Sequence, residues 1–131
     1  MRASRDFKSQ GSGVHTMSQI LAEPVPQPEW APLPRSGSRG VEFKVLLQQP
    51  TLVLALLHFG AQATIDEHAA DFPVDVICLE GAGLFSVDGK AAPLRAGERV
   101  RWPATLQHCL WTDDSTMTTL MVEQRGERVA R

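Results

Sequence analysis

From Val41 onward the chain is a series of short apolar runs, each cut off by a turn signal. The runs fall at 41–47, 52–59, 74–79, 84–87, 99–102, 108–111 and 116–122. Between them stand Gln48-Gln49-Pro50-Thr51, Gly81-Ala82-Gly83, Asp88-Gly89, Ala96-Gly97 and Asp113-Asp114. Runs this short cannot supply a capped amphipathic helix, and none holds a sustained helical period, which argues against a helix-based nucleic-acid reader. Short strands at this spacing predict an all-β sandwich or barrel. Asp88-Gly89 is the strongest hairpin turn, because both central positions of a type I′ turn need positive φ.

The chain ahead of these runs differs. Residues 1–16 carry Ser, Gly, Arg and Lys with little apolar content and read as a flexible tail, with Met17 as an alternative start. Five of the twelve residues from Glu23 to Pro34 are proline, which leaves an extended, polyproline-like arm. The arm is expected to lie along its own barrel or a partner copy, with Trp30 and Leu33 as anchors; a peptide ligand for another domain is the alternative. The expected organisation is a tail and arm over 1–35, a barrel over 36–126, and a C-terminal tail over 127–131.

Composition excludes several classes. In 131 residues, 43% hydrophobic content is enough for a packed core. A net charge of −2 provides no basic field for nucleic acid or an anionic membrane surface. No apolar stretch reaches the roughly 18 residues that cross a bilayer, and the first 17 residues hold no apolar signal core. Cys78 and Cys109 are too few for a disulfide scaffold and are expected as buried free thiols. The expectation is a cytoplasmic protein with neither nucleic acid nor membrane as partner.

The candidates for chemistry are few. Asp66 and His68 lie two apart, on one face of a regular strand running out of Phe59. Some forty residues later His108 opens another strand. Two imidazoles and a carboxylate gathered inside a barrel would form a two-histidine, one-carboxylate set with open positions, suited to Fe, Mn or Zn. Alternatively, the histidines are satisfied core residues, and Asp66 orients a ligand or caps a strand end. Arg99 and Arg101 alternate with Val100 and Trp102 as on a strand with one solvated face, although an Arg at a cavity mouth would suit an anionic substrate. His58 and His15 have no partner in register.

The residues around these positions resemble the two motifs of the cupin superfamily, G-x5-H-x-H-x(3,4)-E-x6-G and G-x5-P-x-G-x2-H-x3-N. Gly60, His68 and Gly81 match the first, with Asp66 at the place of its first His. Gly97, Pro103 and His108 match the second. Three departures stand out: Val74 occupies the place of the metal-binding Glu, Thr105 that of a glycine, and Thr112 that of the closing Asn.

The resemblance implies a small single-domain cupin, a jelly-roll β-barrel with an extended N-terminal arm. It implies a divalent metal (Fe, Mn, Zn or Ni) on His68 and His108, with Asp66 as a further candidate, and a cavity for a small-molecule ligand or substrate. Two functions follow as alternatives: a metal-dependent dioxygenase-type enzyme, or a non-catalytic small-molecule or metal-binding module. A metal-free structural dimer is a third. Small cupins are often homodimers, and the apolar run at 41–47 would serve as an edge or interface.

Overall fold

The computed structural model describes residues 20–127; the tail expected at 1–16 and residues 128–131 lie outside them. Eight strands form: β1 (Ala31–Pro32), β2 (Ser38–Gln48), β3 (Val53–His68), β4 (Val74–Val87), β5 (Lys90–Arg95), β6 (Arg99–Trp102), β7 (His108–Trp111) and β8 (Met117–Glu123). No helix occurs among the described residues. Every run read from the sequence becomes a strand or part of one. The exception in the other direction is β5, whose sequence Lys-Ala-Ala-Pro-Leu-Arg lacks an apolar run. It is held as an edge partner of β4, where Pro93 costs no central ladder bond.

The barrel closes because two long strands are each shared between two sets of partners. The first half of β3 pairs with β8, from Val53↔Glu123 to Phe59↔Met117, and its second half pairs with β7, from Thr64↔Trp111 to His68↔His108. Likewise β4 pairs first with β6 and β8, then with β5 and β7. The circuit β3–β8–β4–β7–β3 has no free edge. To serve both halves, β3 and β4 must turn a corner.

The β4 corner falls at Gly81, whose φ is +76°; a Cβ there would overlap the Thr116 carbonyl oxygen. The β3 corner lies between Gly60 and Ala63, where Gln62 has a φ of +57° and four residues oppose the single Gly40 of β2. Thr112 stitches it. Its buried hydroxyl donates to the Gly60 carbonyl and accepts from the Ala63 N–H at 3.1 Å, and its own N–H donates to the Ala63 carbonyl at 3.0 Å. Thr112 stands where the related motif has Asn, and a side chain with both donor and acceptor is what this corner requires.

Phe59, Val76, Leu110 and Met117 form the centre of the core between the two faces. The Asp88-Gly89 turn has φ of +52° and +79°, the conformation expected for a type I′ hairpin. The proline arm lies on its own barrel. Ala31 and Pro32 pair with Phe43 and Glu42, the Leu33 N–H donates to the Val41 carbonyl at 2.9 Å, and the Gln27 N–H donates to the Val45 carbonyl at 3.1 Å. Leu33 packs against the core. Trp30 meets His58 edge-on at 6.1 Å and carries the Lys44 ammonium over its ring at 4.7 Å.

Thr105 stands where the related motif has Gly, and it adopts the backbone that glycine would: its φ is +70°. This conformation is costly for a β-branched residue. It persists because the Thr105 N–H donates to the Ala70 carbonyl at 2.7 Å, tying the loop after β6 to the end of β3.

Two stability changes follow. Thr105→Gly relieves the strain at an exposed position and is expected to stabilise the protein by about 1 kcal/mol. Thr112→Val keeps the shape but strands a buried N–H and carbonyl, with an expected loss of about 2–3 kcal/mol. Chemical denaturation of the two variants checks both; a destabilised Thr105→Gly or an unchanged Thr112→Val would contradict this account of the loop and the corner.

Candidate functional site

His68 ends β3 and His108 opens β7, and the two are paired across the ladder. Between Ile65↔Leu110 and His68↔His108 the strand β3 has two residues where β7 has one, a β-bulge. The bulge changes the phase of the strand. Ile65 and His68 both face the interior, while Asp66 and Glu67 are exposed. The single face expected for Asp66 and His68 is therefore not found. The Asp66 carboxylate accepts from the Thr64 hydroxyl at 3.2 Å and borders a shallow outer groove with Arg39 and Gln62. It does not join the histidines; its main-chain carbonyl does, accepting from His68 Nδ1 at 3.0 Å.

His108 is anchored in the same way, with Nδ1 donating to the Leu106 carbonyl at 3.1 Å. A carbonyl can only accept, so both rings carry their proton on Nδ1 when neutral, and both Nε2 atoms present bare lone pairs. Those two Nε2 atoms lie 3.1 Å apart. Burial, first of all, holds both imidazoles below their ordinary range. His108, 1% exposed, is pushed down to about 4 by burial, then by the charge of His68, with Arg35 acting in the same direction. His68 is lowered by burial and by Arg35, against the hydrogen bond from its Nδ1–H to the Asp66 carbonyl. Near neutral pH two lone pairs thus face each other with no proton between them.

Trp102, at the end of β6, completes the cluster. Its indole stacks on His108 with ring centroids 3.9 Å apart and 11° between planes, and it meets His68 edge-on at 6.0 Å. Trp102 is 2% exposed, and its Nε1–H has no hydrogen-bond partner among the described residues. The three rings border a cavity of about 300 Å³, whose walls include Leu57, Phe72, Val74 and Met121, with Arg35, Glu123 and Arg125 among its polar side chains.

Val74 faces this cavity beside Trp102, its cross-strand neighbour. The register read from the motif thus holds: the place of the carboxylate ligand is a place in the wall, filled by an alkyl group. Asp75 faces the other way, as a strand requires. Its carboxylate is clamped by Arg99 at 3.1 Å, Arg101 at 3.5 Å and Gln124 at 3.1 Å. Arg99 and Arg101 are therefore structural partners of Asp75 on the outer face, and the arginines at the cavity are Arg35 and Arg125. No group of three or more His, Cys, Asp or Glu able to hold a metal occurs among the described residues. Cys78 and Cys109 are both free thiols; Cys78 is buried as expected, whereas Cys109 is half-buried, its Sγ 3.0 Å from the Ser86 hydroxyl.

The closed barrel with its interior histidine pair can be set beside solved structures. A cupin 2 conserved barrel domain protein from Leptotrichia buccalis superposes with a TM-score of 0.62 at 27% identity, over 64% of this chain and 40% of that one. An RmlC-like cupin from Shewanella frigidimarina superposes with a TM-score of 0.64 at 20% identity, over 73% and 83% of the two chains. The chain has the cupin fold. The polyketide cyclase RemF from Streptomyces resistomycificus shares the cupin fold with a TM-score of 0.72 at 17% identity, over 84% and 83%. No family model and no curated protein matches the chain. The chain spans about 40% of the length of the Leptotrichia protein.

One polar contributor to the cavity escapes the sequence motifs. Arg35 sits in the turn between β1 and β2, in a Pro-Arg-Ser-Gly stretch that reads only as a linker. Trp102, a candidate wall residue from its place in the strand preceding the second motif's proline, does line the cavity.

A pH dependence follows from His108. Unfolded, it titrates near 6.5; folded, it stays neutral down to about 4. As pH falls through 6.5 the unfolded chain gains a proton that the native state refuses. Stability is therefore complete above that pH and declines toward 4, by about 3 kcal/mol for this group. Urea midpoints of metal-free protein between pH 7.5 and 4 should fall accordingly. His108→Gln should flatten the profile, and an unaltered slope in that variant would count against His108 as its source.

Proposed function

We propose that this cupin binds a small organic molecule in its cavity, beside a divalent metal ion held by Nε2 of His68 and Nε2 of His108. One observation carries the reading: two buried lone pairs 3.1 Å apart, with both tautomers set by main-chain carbonyls. Neutral imidazoles so arranged repel unless a cation sits between them, and burial disfavours a proton in that role. The two Nε2 atoms, one from each ring, are the donors that would hold such an ion. The carbonyls of Asp66 and Leu106 orient the two ligands, as hydrogen-bond partners behind metal-binding histidines do.

Iron, manganese, zinc and nickel all suit two imidazoles with oxygen in the remaining positions. The chemistry that such an ion would supply when bound is polarisation of an oxygen of a bound molecule or water, or dioxygen chemistry. The residues of the chain bind and enclose: Val74, Phe72 and Met121 exclude water, and Trp102 fixes His108 by stacking. Val74 in a carboxylate's place favours a second reading, a non-catalytic binding module, because two neutral ligands hold an ion less tightly than two plus a carboxylate.

Titration of untagged, metal-stripped protein with zinc and cobalt tests this. We expect one ion per chain, lost in His68→Ala and in His108→Ala. Val74→Glu supplies a third ligand from the cavity wall and should tighten binding at least tenfold. Wild-type protein that takes up no ion, or alanine variants that bind as well as wild type, would remove the metal reading. Oxygen uptake by the iron-loaded protein with phenols, thiols or keto-acids would favour an oxygenase; bound metal without uptake would favour the binding module.

A further inference from the structure

The Trp102 indole N–H is a buried donor without an acceptor among the described residues. Native structures rarely leave such a group unpaired, because it has lost its water and gained nothing in return. An indole nitrogen only donates, so its missing partner is an acceptor. The ring is stacked flat on His108 and is not free to turn away.

A positive charge also stands at the solvent-exposed rim of the same cavity. Glu123 pairs with Arg125 at 2.6 Å, whereas Arg35 has no carboxylate partner among the described residues. The rest of the wall is largely apolar, with Phe43, Val53, Leu57 and Phe72 among its residues.

From these features we propose that the cavity takes a small carboxylic acid with an apolar body, its carboxylate accepting from Trp102 Nε1–H and paired with Arg35. A carboxylate has lone pairs for both donors and the charge that Arg35 lacks a partner for, and hydrogen bonds to charged groups are the stronger ones. A neutral alcohol or amide would satisfy the indole and leave Arg35 unmatched. The apolar walls take the hydrocarbon part, as small-molecule sites generally do. The proposal rests on the reading of the cavity as a small-molecule site and is independent of the metal.

The test compares 4-phenylbutanoate with 4-phenylbutan-1-ol, by calorimetry on the full chain at pH 7.5 after metal removal. The acid, ionised at this pH, should bind roughly tenfold or more tightly than the alcohol. It should also shift the Trp102 indole N–H resonance in nitrogen-15 spectra. Arg35→Met should abolish the preference for the acid, and Trp102→Phe, which keeps a ring but removes the N–H, should weaken acid binding severalfold. Should Trp102→Phe fail to fold, the wild-type resonance and Arg35→Met still decide the matter.

Equal affinities for acid and alcohol, a stationary indole resonance, or a preference retained in Arg35→Met would overturn the proposal. So would the failure of both compounds to bind protein that still takes up cobalt, an outcome that leaves the metal reading standing. Acid binding by protein that takes up no metal would support this proposal while removing the other.

Discussion

The corner of β3 is the constraint on which the remaining architecture depends. Unless the strand turns at Gly60–Ala63, its two halves cannot pair with β8 and β7, and the circuit that closes the barrel is broken. The corner costs hydrogen bonds, since four residues there oppose one on β2. Thr112 replaces them by bridging the Gly60 carbonyl and the Ala63 N–H. The same turn carries the last residues of β3 to the first of β7, so His68 and His108 become cross-strand partners through barrel closure and not through any local signal.

Much of this was legible in the residues. Short apolar runs parted by glycine, proline and Asp-Gly give strands because backbone pairing needs only a few residues and a turn. The motif register located the two histidines and Val74 as interior positions. The bulge after Ile65 was not legible. Period-two alternation predicts a shared face for Asp66 and His68, but a single extra residue reverses the phase, and nothing in Ile-Asp-Glu-His announces it. β5 was invisible for a different reason: an edge strand is held by its neighbour's ladder, so its own sequence need not be apolar. Arg35 belongs to a linker by composition and reaches the cavity only because the arm is folded back along β2.

The chemistry of the cavity is set as much by main chain as by side chain. The carbonyls of Asp66 and Leu106 each take one Nδ1 proton, and this forces the Nε2 lone pairs toward each other. Trp102 stacks on His108 and limits its rotation, at the expense of its own unpaired N–H. Val74 leaves an apolar surface where a third donor would stand. The result is a largely apolar pocket in which a few polar groups stand together at one place.

The proline arm has a consequence for how the molecule behaves in a crowded solution. The outer edge of β2 would otherwise expose a row of unpaired N–H and carbonyl groups, a template for strands of other chains. β1 covers part of that row for only two residues and then stops, and Pro32 and Pro34 have no N–H to offer outward. A strand arriving from another molecule would find few donors to pair with along this segment. The arm thus caps the sheet and resists edge-to-edge aggregation, and this gives the prolines a reason to be there beyond stiffness.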